Sequence, residues 1–369
     1  MKKIIIISCA SRDFLLFRLG LLKELKARGF NIIISAPHDN YSDKLIKLGY
    51  NFLNLQINRK GLNPIEDLIL FIKILKILLK EKPNIIINFS IKPIIYGSFA
   101  SYFFKNLKLI NVLTGLGYVF IKNNLLTTIV KILYKIALLR ADKIIFQNRD
   151  DFEYFKKNKL VSSKKSEVIL SSGVDTEYFK PLKLKKTSKN FIFLFMGRIL
   201  WDKGIKEFIE SAKIVREKYR NTKFQILGWF DKSNPSEVSK EYIEELCKKG
   251  IIEYLGNFDD VRPFIAQSDV VVLPSYREGV PKVLLEAASM EKPIITTDAP
   301  GCREVVKHKL NGLLVPIKDV KSLSEAMLWM IEHPKDRKKM GREGRKIIIK
   351  IFDERMVVNK YMKIIFELV

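Results

Sequence analysis

Short runs of isoleucine, valine and phenylalanine alternate along this chain with longer stretches whose apolar residues recur every three or four positions. The short runs fall at residues 4–8, 31–36, 84–88, 107–113 and 143–147, and the helical periods at 14–28, 64–80 and 125–140. Continuous apolar runs of this length are what strands buried on both faces look like, and a helix between each pair is what parallel strands need. Residues 172–190 carry Gly173, Pro181 and a lysine cluster without apolar periodicity, and read as a linker. Strand-like runs then resume at 191–196, 223–227, 251–255, 269–273, 293–296 and 312–315. The pattern predicts an α/β protein of two doubly wound parallel-sheet domains with a cleft between them.

The first 185 residues hold 32 basic and 14 acidic side chains, a net +18 out of +26 for the whole chain of 369 residues. That asymmetry points to an anionic partner for the first half, either lipid headgroups or nucleic acid. No RNP-type segment or helix-turn-helix signature accompanies the charge, so nucleic acid is not expected as a partner. Lys73, Lys76 and Lys80 share one face of the 64–80 helix among Leu and Ile, and Lys131 and Lys135 repeat the theme on the 125–140 helix. A basic amphipathic helix of this kind suits contact with an anionic membrane surface. The same lysines interrupt the most apolar segment, so a membrane-spanning helix is not expected. Met1-Lys-Lys followed by a four-isoleucine run is too short for a signal peptide. Three cysteines, Cys9, Cys247 and Cys302, without CxxC spacing support neither a disulfide framework nor a zinc site, which fits a cytoplasmic location.

Several chemistries lose their motifs. Gly115-Leu-Gly117 is a GxG, but Phe120 stands where a dinucleotide fingerprint needs its third glycine, and neither GxxxxGK[ST] nor HExxH occurs. Two other segments do carry chemistry. Residues 268–286 run as a buried strand ended by Pro274, a loop with Glu278 and Gly279, then a helix opened by Pro281 and carrying Glu286. A loop at the carboxyl end of a parallel strand lines the ligand crevice of an open α/β sheet, and backbone N–H groups at a helix N-terminus suit phosphate. Two glutamates eight apart are common on solvated surfaces; this setting is what turns them toward a ligand. The second segment, Gly197-Arg198 to Lys203-Gly204, leaves the first strand of the second half, where the two cations can converge on an anion such as a diphosphate.

Together these motifs resemble the retaining glycosyltransferases of family 4, which have the GT-B fold of two facing Rossmann-like domains. The likeness extends to Lys92-Pro93 with Tyr96-Gly97, to the segment from Thr114 to Phe120, to Gly173-Val-Asp175 and to Pro300-Gly-Cys-Arg-Glu304. It is similar to the bacterial surface-glycan branch, and within it to N-acetylgalactosaminyltransferases that extend undecaprenyl-diphosphate-linked diacetylbacillosamine.

The resemblance implies a division into an acceptor-binding, membrane-facing domain over 1–175, a nucleotide-sugar domain over 190–350, and a C-terminal helix at 351–369 packing back on the first. Arg198 and Lys203 would bind the donor diphosphate and take up the charge of the leaving nucleotide, with no metal and no cofactor, the UDP-sugar being a substrate. Glu278 would hold the donor sugar without acting as a covalent nucleophile, Glu286 the ribose, and Gly197, Gly279, Val280 and Pro281 would present backbone. Asn88, Lys92, Thr114, Gly115 and Gly117 would line the acceptor side. Many relatives carry a histidine where this chain has Asn88, which reads from the sequence as a strand-end cap. The implied reaction moves a sugar from a nucleotide-sugar donor, N-acetylgalactosamine from UDP first, to a polyprenyl-diphosphate-linked glycan at the inner face of the cytoplasmic membrane. Capsule, O-antigen or lipopolysaccharide-core acceptors remain open at this point.

Overall fold

The computed structural model describes residues 2–58, 63–116, 125–184, 189–231 and 234–369, and the side chains of these except Leu125 and Leu126. It divides into two compact units, 1–172 with 354–369, and 173–353.

In the first unit, seven strands form one sheet: β1 (Lys3–Ile7), β2 (Asn31–Ala36), β3 (Asn51–Asn54), β4 (Ile85–Phe89), β5 (Lys108–Leu113), β6 (Lys143–Phe146) and β7 (Ser166–Val168), in the order 3-2-1-4-5-6-7. All neighbours are parallel. The apolar runs are continuous because the sheet is covered on both sides. Ile4, Ile6, Ile85 and Ile87 pack into one core with the 19–27 helix and the C-terminal helix Glu354–Leu368. Ile5, Ile7, Ile86 and Leu109 pack into the other, under the helices Pro64–Glu81 and Leu125–Arg140. Each isoleucine so buried contributes about 2 kcal/mol of transfer free energy.

Three readings of the sequence change here. The expected helix over 14–28 is two, Arg12–Phe17 and Leu19–Ala27, broken at Arg18, whose guanidinium lies 3.8 Å from the centre of the Phe89 ring. β3 and β7 escaped the apolar pattern because both are short, partly exposed edge strands without a run to betray them. Asn88 is no strand-end cap: it lies inside β4, fully buried, and its Nδ2 donates to Asn111 Oδ1 at 3.0 Å, while Asn111 Nδ2 donates to Ser98 Oγ at 2.9 Å. The neighbouring strand thus supplies an acceptor for Asn88 Nδ2, while Asn88 Oδ1 is buried without a hydrogen-bond partner in the structure.

The second unit carries six strands, β8 (Phe191–Met196), β9 (Thr222–Leu227), β10 (Glu253–Gly256), β11 (Val270–Leu273), β12 (Ile294–Thr297) and β13 (Gly312–Val315), in the parallel order 10-9-8-11-12-13. The stretch read as a linker is largely part of this unit. Val174 N donates to Phe352 O at 2.9 Å, Thr176 Oγ1 to Asp353 Oδ2 at 2.5 Å, and Ser289 Oγ to Phe179 O at 2.7 Å. In both sheets the winding direction reverses once, between β1 and β4 and between β8 and β11. Loops leaving the carboxyl ends of those strands diverge and open a crevice.

Replacing Asn111 with Ala would leave Asn88 Nδ2 buried without its acceptor. Asn111→Ala is expected to lower stability by about 1–3 kcal/mol, read as a shift of the urea midpoint.

Candidate functional site

The reversal between β8 and β11 brings the two charged segments together. β8 ends at Met196, so Gly197 and Arg198 leave its carboxyl end; β11 ends at Leu273, so residues 274–281 form the facing loop before the helix Lys282–Ser289. Tyr276 N donates to Asp202 O at 2.9 Å, and Ser275 Oγ to the same carbonyl at 3.3 Å. Gly204 has φ +77°, and a Cβ there would sit 2.2 Å from the Pro274 carbonyl oxygen. Gly301, after β12, has φ +80°, and its Cβ would meet the Gly279 carbonyl oxygen at 2.2 Å. Only glycine allows these loops to touch. Glu278 N donates to Pro300 O at 3.1 Å, locking the third loop to the second.

Held this way, Lys203 Nζ lies 2.5 Å from Glu278 Oε1, with the two side chains 13% and 16% exposed. The other predicted cation is also paired, Arg198 Nη1 lying 3.1 Å from Asp231 Oδ2. Asp231 was not singled out in the sequence. It stands in the loop after β9, the strand beside β8, and its signal was only that position at a carboxyl edge. A second unnoticed pair braces the Lys203 and Glu278 loops: Tyr276 Oη donates to Glu207 Oε1 at 2.8 Å, and burial together with that bond holds the phenol well above its ordinary range.

Glu286 lies on the helix that opens just after Pro281, which caps it with extended backbone. The residue is half-buried overall, and desolvation of its carboxyl pushes it up to about 7 against the opposing charge of Lys282. Cys302 is fully buried, and burial followed by the charge of Glu278 pushes its thiol up to about 12, so it is no nucleophile.

The family described as glycosyl transferases group 1 matches residues 176–347, and that described as glycosyl transferase 4-like matches residues 3–148. A Campylobacter jejuni enzyme, N,N'-diacetylbacillosaminyl-diphospho-undecaprenol alpha-1,3-N-acetylgalactosaminyltransferase, is 30% identical over 94% of both chains. The chain belongs to this glycosyltransferase family. An Escherichia coli enzyme, UDP-Gal:alpha-D-GlcNAc-diphosphoundecaprenol alpha-1,3-galactosyltransferase, is 27% identical over 73% of this chain and 72% of its own. Among solved structures, HepE of Anabaena in complex with UDP-glucose superposes with a TM-score of 0.82 at 17% identity over all of both chains, a likeness of fold. The fold is GT-B, and the protein is a glycosyltransferase.

The first unit of this glycosyltransferase places its expected site residues unevenly. Thr114 and Gly115 follow β5, half-buried at the carboxyl edge. Lys92 follows β4, but its Nζ is engaged by Asp67 Oδ1 at 2.6 Å, and Tyr96 also bonds Asp67. Asn88, buried in the sheet, lines nothing open. Gly117 lies outside the described residues. Of the lysines expected at a membrane, Lys73, Lys76, Lys80 and Lys135 are exposed, whereas Lys131 is half-buried with Nζ 5.3 Å from the centre of the Tyr154 ring.

Two outcomes follow from this geometry. The raised Glu286 carboxyl means that the folded state prefers the proton, so this group's contribution to stability is present below pH ~4.5 and lost as pH rises through about 7. Glu286→Gln is therefore expected to melt above the parent protein at pH 8 and with it at pH 4.5. Asp231 is paired with Arg198, so Asp231→Asn is expected to lower kcat/KM about tenfold, and to lower it no further in an Arg198→Ala background. Additive losses in that cycle would show the two side chains to be independent.

Proposed function

We propose that the enzyme moves N-acetylgalactosamine from UDP, with retention, onto an undecaprenyl-diphosphate-linked saccharide. What carries the reading is the pairing of Lys203 with Glu278 at the reversal of the second sheet, beside Arg198. The end-to-end likeness to the Campylobacter jejuni transferase supports the donor and acceptor classes. A diphosphate entering this site offers Arg198 and Lys203 a stronger partner than the carboxylates they hold. Lys203 turning to phosphate frees Glu278 to accept hydrogen bonds from sugar hydroxyls. Glu286, on the following helix, is suited to the ribose hydroxyls, and the backbone of Gly197, Gly279, Val280 and Pro281 to phosphate and sugar.

As the anomeric C–O bond breaks, its electron pair goes to the β-phosphate oxygen, where the two cations stabilise the developing charge. The acceptor hydroxyl attacks from the same face, forms the new C–O bond and gives its proton to the departing phosphate. In this mechanism the chain's own cations supply the electrophilic help, and neither a metal nor a cofactor takes part. The acceptor's polyprenyl tail confines the reaction to a bilayer, so the partner surface is an anionic membrane, the inner face of the cytoplasmic membrane, with no nucleic acid involved.

The test is release of UDP from UDP-N-acetylgalactosamine with and without an undecaprenyl-diphosphate-linked amino-sugar acceptor. Acceptor-dependent release is expected, unchanged by EDTA. Lys203→Ala should cut kcat by about 10²–10³-fold in protein that is still folded at the assay temperature, although it leaves Glu278 without its cation and so melts below the parent. Acceptor-independent rates, abolition by EDTA, or full turnover by Lys203→Ala would each refute the corresponding part.

A further inference from the structure

Buried carboxylates are normally surrounded by hydrogen-bond donors, because an oxygen stripped of water without a partner costs free energy. Glu207 departs from this rule. It stands in the first turn of the helix Ile205–Lys218 and is only 5% exposed. Its Oε1 accepts from Tyr276 Oη at 2.8 Å, while Oε2 is buried with no partner among the described residues. Asp202 Oδ1, on the loop that leads into this helix, is buried in the same condition. A leucine facing a phenylalanine would fill the space of Glu207 and Tyr276 with no orphaned oxygen, and replacing both members of a buried polar pair in that way is often neutral or stabilising. Stability alone therefore does not account for the pair.

Tyr276 is held on three sides. Its N–H donates to Asp202 O at 2.9 Å, its hydroxyl donates to Glu207, and Lys318 Nζ lies 5.0 Å from the centre of its ring. Lys318 comes from the loop after β13 and has φ +59°, a left-handed backbone that costs a lysine free energy. Burial first, and then the bond to Glu207, raise the phenol, so it keeps its proton and remains the donor.

Glu278 lies two residues further along the same loop and is held in this structure by Lys203. In the reaction proposed above a diphosphate takes Lys203, and that hold is lost. The loop then depends on its backbone bond from Glu278 N to Pro300 O and on Tyr276, whose bond to Glu207 ties it to a helix rather than to another loop.

We infer that Tyr276 is a positioning residue for the transfer: through Glu207 it fixes the loop from which Glu278 reaches the donor sugar. The inference rests on the role proposed above for Glu278 toward that sugar. A misplacement of about 1 Å at a reacting centre can cost on the order of 10²-fold in rate, so a bond that touches no substrate still governs turnover.

Steady-state UDP release from UDP-N-acetylgalactosamine with the undecaprenyl-diphosphate-linked amino-sugar acceptor tests this, with UDP as product inhibitor and melting temperatures measured alongside. Tyr276→Phe is expected to lower kcat about tenfold and to leave the Ki of UDP within about twofold of the parent's, because UDP carries no sugar for Glu278 to hold. In a Glu278→Ala background the same substitution should lower kcat no further. Glu207→Gln keeps an oxygen for the phenol and should retain kcat within about twofold, whereas Glu207→Leu should be as slow as Tyr276→Phe. Tyr276→Phe leaves both Glu207 oxygens buried without a partner and should melt below the parent. Tyr276→Phe with Glu207→Leu removes the orphaned oxygens and should melt at or above the parent while staying about tenfold slow. That double variant carries the test if a single one fails to fold.

A double variant as active as the parent, a UDP Ki that weakens in step with kcat, or a Glu207→Gln variant as slow as Glu207→Leu would overturn the role. A parent without acceptor-dependent release refutes the proposed reaction and this role with it. A parent that turns over, with kcat unchanged by Tyr276→Phe, refutes this role alone.

Discussion

At the carboxyl edge of the second sheet three loops touch backbone to backbone, and the charged site exists because they do. The loop after β8 meets the loop after β11 at Gly204 and Pro274, and the loop after β12 meets it again at Gly301 and Gly279. A single β-carbon at either glycine would drive the loops apart, with the Pro274 or Gly279 carbonyl oxygen only 2.2 Å away. Backbone contacts of this kind are stiff because no side-chain rotamer can absorb a shift. They set Lys203 against Glu278, and the bond from Tyr276 to Glu207 braces the same two loops a turn further on.

The site so assembled is internally compensated. Its two cations each hold a carboxylate, Lys203 with Glu278 and Arg198 with Asp231. Partly buried charges are costly unless paired, and pairing keeps both side chains in place before any ligand arrives. In the proposed reaction a diphosphate enters by exchanging partners rather than by filling a field of bare charge. Glu286 is a member of neither pair and has its carboxyl raised to about 7 by desolvation, so it differs in kind from Glu278 although the two glutamates share one motif.

The first unit shows a different economy. Its sheet is buried on both faces by isoleucine, and the side under the C-terminal helix is closed. The other side is covered by helices apolar nearly all the way round, with lysines on one flank. That composition stabilises the unit from within and leaves aliphatic surface outside. Lys92, tied to Asp67 at the carboxyl edge of the same sheet, is a structural cation first.

What the sequence alone determined is whatever follows from local periodicity and from position at a strand end. Continuous Ile and Val runs mean parallel strands covered on both faces, and a Pro or Gly after such a run places Arg198, Lys203 and Glu278 in carboxyl-edge loops, where the structure has them. What only the tertiary structure decided involves residues distant in the chain. Asp231 reaches Arg198 across 33 positions and Glu207 reaches Tyr276 across 69. Asn88 became a core hydrogen-bonding residue because Asn111 stands on the adjacent strand, which no local pattern reveals. The edge strands β3 and β7 lacked a buried run to announce them. The outer faces of the two covering helices read as lysine stripes, because periodicity counts apolar residues without saying which of them the fold leaves uncovered.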